Sequence, residues 1–161
     1  MKLEIQNQVE TQALELEKIV NELVKKYTDD LDEYMHKIRA VLENPNDELT
    51  IQDINKILIR LTSYNYFLGT KCELAGIRAD VSEAIRAEKY NNAYMNTVGG
   101  TVASKQAHAE EIAKEEQVIA MIYSRVYKIL KNTCSNVDKT IDSLKKILGV
   151  RIAEMNLGAK V

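Results

Sequence analysis

Arg86, Lys89, Tyr90, Tyr94 and Lys105 lie within a short stretch of chain, around the adjacent glycines Gly99 and Gly100. Lysine and arginine can hold phosphate oxygens, and tyrosine rings can stack on bases because every base offers a π-face. Asn91, Asn92 and Asn96 add neutral hydrogen-bonding groups beside them. The glycines have a plainer role, since a chain reversal needs backbone freedom that they supply. A turn accounts for the glycines but not for the basic and tyrosine residues at its edge. A surface that tracks a single-strand backbone and stacks its bases uses that combination.

A second basic group follows: Arg125, Lys128, Lys131, Lys139, Lys145, Lys146 and Arg151. Lysine is an ordinary residue of a solvated helix face, and that is one reading. Against it, the only acids after Gln117 are Asp138, Asp142 and Glu154, whereas ion-paired helix surfaces mix the signs more evenly. Tyr123 and Tyr127, one turn apart, either stack bases or edge a helix seam. Residues 1–95 hold 12 Lys/Arg against 17 Asp/Glu, and residues 96–161 hold 10 against 7. The acidic first half argues against a protein coated all over in nucleic acid, while the basic last third permits a localised anionic ligand.

Catalysis finds little support. His36 and His108 are the only histidines, and neither lies in an HExxH motif or beside a nucleophile. The acidic cluster Asp29, Asp30, Asp32 and Glu33 lacks the spacing of a calcium loop and reads as a solvated face. No Walker loop or GxGxxG occurs. Cys72 and Cys134, without CxxC spacing, read as reduced, partly buried small residues. Neither catalytic residues nor a metal nor a cofactor is expected. The chain has no run of 18 apolar residues and no signal-like N-terminus, so a cytoplasmic protein without a membrane span is expected.

The elements that must position these residues are helices. One proline, six glycines and no tryptophan among 161 residues leave little punctuation for strands, and 29% of the chain is charged. The first helix is predicted over about residues 2–43, with a stripe at Val9, Ala13, Leu16, Val20, Leu23, Tyr27, Leu31, Tyr34, Ile38 and Val41. Asn44-Pro45-Asn46-Asp47 predicts a turn, and Thr50 with Asp53 a capping box. The second helix spans about 51–96, along Ile51, Ile54, Leu58, Leu61, Leu68, Cys72, Ala75, Ala79 and Ile85. Its alanine-rich face is the candidate subunit contact. A turn at about 97–101 leads to a third helix over about 102–155. Its stripe is Ile112, Ile119, Ile122, Val126, Leu130, Val137, Ile141, Leu144, Leu148 and Ile152, with candidate breaks near 132–136 or at Gly149. The fold class is therefore all-α: a single domain built as a long antiparallel helical hairpin or coiled-coil bundle of three to four helices. Helices of forty residues run about 60 Å, which a chain this size cannot sheathe alone, so self-association is expected.

The order of features from about Ile77 to Met155 resembles the recombination mediator proteins of phages and prophages, the UvsY-like group. The features are AEKYNNAYM at a helix end, a glycine turn, GTVASKQAHAEEIAKEE, and the long helix YSRVYKILKNTCSNVDKTIDSLKKILGVRIAEM. The resemblance implies a small, helical, non-enzymatic homo-oligomer that binds single-stranded DNA. It further implies loading of a recombinase onto strands covered by single-strand-binding protein. Carried onto this chain, the implied DNA contact falls on Arg86 and Lys89, with Tyr90 or Tyr94 nearby. The helix before Asn44 has no counterpart in the resemblance. Composition and periodicity fit a competing reading equally well, that of a coiled-coil structural or inhibitory module of phage origin, docking a protein and no nucleic acid.

Overall fold

The computed structural model describes residues 2–43 and 49–158, with the backbone alone for residues 2–8, 41, 42 and 158. Four helices follow in order: α1 (Lys2–Glu43), α2 (Ile51–Asn96), α3 (Val102–Ile112) and α4 (Lys114–Gly158), and the described residues contain no strand. The protein is all-α. The turn predicted at Asn44 to Asp47 and the seam position Val41 lie outside what is described.

The start of α2 is fixed by the chemistry of its first turn. Thr50 Oγ1 accepts from the Asp53 backbone N–H at 3.2 Å, and Asp53 Oδ2 accepts from the Thr50 backbone N–H at 3.2 Å. Two of the donors that a helix start leaves unpaired are thus satisfied reciprocally. The break in the third predicted helix falls elsewhere than expected. α4 runs unbroken through residues 132–136 and Gly149, and the interruption is at Ala113, with φ −93° and ψ 6°. The ladder carries on across it, since Ala113 donates to the Ala109 carbonyl at 3.0 Å and Gln117 to the Ala113 carbonyl at 2.9 Å. Gly149 has open space around it, so nothing presses the helix to bend there.

Contacts group the chain into two compact units, Met1–Val24 with Cys72–Ile129 and Lys25–Lys71 with Leu130–Val161. The second unit has a core of large aliphatics at heptad spacing. Leu31 and Ile38 come from α1, Ile54, Leu61 and Leu68 from α2, and Leu130, Val137, Ile141 and Leu144 from α4. Burying each such side chain contributes about 1.5–3 kcal/mol. At its margin the Tyr34 and Tyr64 rings meet at 5.5 Å, with the Arg60 guanidinium 5.7 Å from the centre of the Tyr34 ring. Partial burial holds the Tyr34 hydroxyl above its ordinary pKa. Asn65 donates to Asp138 at 2.6 Å, and Arg151 donates to the Leu49 carbonyl.

The first unit is built differently. Its buried residues are Val20, Cys72, Ala75, Ser82, Ala109, Ala113, Ala120 and Val126, mostly small. Ser82 satisfies its hydroxyl on the carbonyls of Arg78 and Ala79. Small side chains let helices approach closely, and this reverses part of the predicted stripe. Val9, Ala13, Ile85, Ile112 and Ile119 are exposed, while Ala109, Ala113 and Ala120 take inward positions near Ile112 and Ile119, and Ser82 does so near Ile85. In the second unit Ile152 is likewise exposed. The alanine-rich stretch of α2 is turned inward in part, with Ala75 buried and Ala79 half-buried, while Ala84 is exposed.

Candidate nucleic-acid interface

The end of α2 and the start of α3 are joined by a turn whose geometry the sequence spells out. Gly99 and Gly100 have φ of +79° and +82°, in the left-handed region that side chains disfavour. Thr101 then caps α3, its hydroxyl accepting from the Ser104 backbone N–H at 3.2 Å. A Cβ on Gly100 would come within 2.5 Å of Ser104 Oγ, so a side chain there would have to turn the Ser104 hydroxyl away in addition to adopting a positive φ. On the other side, Thr97 donates to the Ala93 carbonyl at 2.8 Å and closes α2.

The last turns of α2 carry four of the predicted residues. Tyr90 and Tyr94, one helical turn apart, hold their rings nearly parallel, with centroids 6.4 Å apart and planes 12° apart. Both are half-buried. Arg86, one turn earlier, is engaged with Glu83: Nε donates to both carboxylate oxygens at 2.9 and 3.0 Å, and Nη2 to Oε1 at 2.5 Å. These hydrogen bonds hold the Glu83 carboxyl below and the Arg86 guanidinium above their ordinary pKa values. Lys89 reaches from α2 to Glu116 in the first turn of α4, Nζ to Oε1 at 2.5 Å. That bond, with one from the residue's own backbone N–H, lowers the Glu116 pKa. Its second oxygen, Oε2, is buried and has no partner. Each cation that the resemblance implicates is therefore already held by a carboxylate. Glu116 lies 27 residues from Lys89, and no local pattern in the sequence announces their pairing.

The remaining candidates scatter. Lys105, on α3, is half-buried. Arg125 and Lys128 lie exposed on α4, Arg125 beside an apolar groove of about 400 Å³ lined by Leu16, Val20, Met121, Ile122 and Ile129. All of these belong to the first unit. Lys131, Lys145 and Lys146 belong to the second unit; all three are exposed, and Lys145 lies 3.6 Å from Asp142. Tyr127 edges a seam: a Cβ on Gly76 would stand 3.1 Å from its ring, which makes glycine the residue that lets α2 approach it. The sequence also offers an aromatic pair that no motif marks. Tyr66 and Phe67, in the second unit, are exposed and meet edge to face at 5.4 Å.

Among the described residues no three of His, Cys, Asp or Glu gather in a metal-binding group, and no helix is long and apolar enough to cross a membrane. No protein family, curated protein or solved structure matches this chain.

Proposed function

We propose that this chain is a non-enzymatic, self-assembling helical protein that binds single-stranded DNA at the C-terminal end of α2, as a recombination mediator does. The observation that carries the reading is the parallel Tyr90–Tyr94 pair. Aromatic rings stack on the bases of a single strand whatever the sequence, because every base has a π-face. The two tyrosine rings are nearly parallel, with planes 12° and centroids 6.4 Å apart, and stand one helical turn from each other beside Arg86 and Lys89. Arg86 and Lys89 sit close enough in sequence to neutralise the adjoining phosphates, provided that phosphate displaces Glu83 and Glu116. Arg125 and Lys128 extend the basic character along α4.

Weak contacts in one copy are multiplied by assembly, so avidity lets such a protein compete with another single-strand binder while a recombinase loads. The test is a fluorescence anisotropy titration of labelled single-stranded and duplex oligonucleotides at about 50 and 200 mM salt. Micromolar or tighter binding that prefers the single strand supports the reading. Equal affinity for duplex, or none at low salt, rejects it.

A second reading, a protein-interaction module without nucleic-acid binding, is favoured by the large exposed side chains Leu74, Ile77, Val81 and Ile85 on α2. Co-purification of a stoichiometric partner protein with no oligonucleotide binding would select it.

A further inference from the structure

α2 is apolar on two sides in the first unit. One side, Cys72, Ala75 and Ser82, is buried in the unit's own core. The other carries Leu74, Ile77, Val81 and Ala84 at intervals of three, four and three residues, the a and d spacing of a coiled-coil seam. Leu74, Ile77 and Val81 are 50%, 58% and 53% exposed, and Ile85 flanks them at 51%. A helix whose outer face meets only water has no reason to repeat large aliphatics at this spacing.

The edges of this stripe carry opposite charge. Glu73 and Asp80, seven residues apart, run along one edge, and Arg78 lies on the other; all three are exposed. These are the g and e positions of the same heptads. Symmetry then decides the partner and its direction. If two copies of α2 pair with a two-fold axis parallel to the helices, opposite edges meet. A g residue then faces the e residue five positions later on the second copy, which sets Glu73 against the second copy's Arg78, twice per pair. If the axis is perpendicular to the helices, like edges meet, and acid faces acid. Glu88, at the next inward position, would oppose its own copy, and this ends the seam.

The geometry points to a homotypic interface: α2 of one copy pairs in parallel and in register with α2 of a second copy through Leu74, Ile77, Val81 and Ala84, with reciprocal Glu73–Arg78 contacts. This pairing supplies the assembly that the single-strand reading calls for, yet its test stands apart from that reading. Sedimentation reports the seam, and oligonucleotide anisotropy reports the tyrosine site.

The experiment is sedimentation velocity of the full chain over about 1–100 μM, with far-UV circular dichroism as the control for folding. Wild type is expected to sediment as a dimer or larger species. Ile77→Asp, which alters a side chain exposed in one copy, should keep its helicity and weaken association at least about 30-fold, because the change occurs on both sides of the axis. Glu73→Arg and Arg78→Glu should each weaken association about 10-fold by opposing like charges, and the double variant should return to within about threefold of wild type. A monomeric wild type at 100 μM overturns the inference and leaves the face to a different protein. An unchanged oligomer in Ile77→Asp, or a double variant no tighter than either single, overturns it too.

Discussion

Glu116 is where two demands on Lys89 meet. Its carboxylate holds the lysine across from α2 to α4, and a phosphate would have to take its place. If the lysine contacts DNA, Glu116→Gln should raise single-strand affinity several-fold at 50 mM salt, because the displacement no longer separates an ion pair. An unchanged or lower affinity would remove Lys89 from the site. The same carboxylate makes a pH prediction. Glu83 and Glu116 are both held below the ordinary value of 4.5 by their cationic partners. Their contribution to stability is therefore complete above about pH 4.5 and is lost as pH falls through the depressed values. Melting followed by circular dichroism should show the midpoint dropping from about pH 5 to pH 3, and Glu116→Gln should lose less over that range. At the turn, Gly100→Ala is expected to cost about 1–2 kcal/mol, since it sets a side chain at positive φ against Ser104; urea denaturation measures it.

At the scale of elements, the contrast between the two cores is directly measurable. Leu130 is 0% exposed in the aliphatic core, so Leu130→Ala should cost about 2–5 kcal/mol. Ile119, 47% exposed, belongs to the same predicted stripe, and Ile119→Ala should cost well under about 1 kcal/mol in denaturant titrations. Equal costs would mean that the alanine-lined packing is wrong. This contrast also shows what was legible in advance. The limits of α1 and α2, the Thr50–Asp53 cap and the glycine turn all follow from local chemistry, and the heptads around Leu61, Leu130 and Val137 follow from periodicity. Ile85, Ile112 and Ile119 misled because periodicity marks apolar faces without saying which of two is inward. Where Ala109, Ala113 and Ala120 compete with neighbouring isoleucines, close helix approach selects the alanines. The Ala113 interruption had no glycine or proline to announce it, and Gly149 announced one that never occurs.

For the whole molecule, composition predicted an all-α chain, and the described residues form four helices. The candidate site was legible only in part. Tyr90 and Tyr94 are close through helical spacing alone, and Arg86 finds Glu83 by the same rule. Lys89 meets Glu116 only through tertiary packing, which no local pattern reveals. Arg125 and Lys128 are assigned to the first compact unit and Lys131, Lys145 and Lys146 to the second, although all five lie on α4. The most direct measurement is the affinity of a fluorescein-labelled single-stranded oligonucleotide for wild type and for Tyr90→Leu/Tyr94→Leu, each across 50–300 mM salt. Wild type should weaken with a log–log slope of about 0.7 per phosphate contact. The double variant should bind about 10- to 100-fold more weakly with the same slope, since stacking contributes about 1–3 kcal/mol per base and carries no counterions. Binding by the variant equal to wild type, or no binding by wild type at 50 mM salt, would contradict a single-strand site at the end of α2.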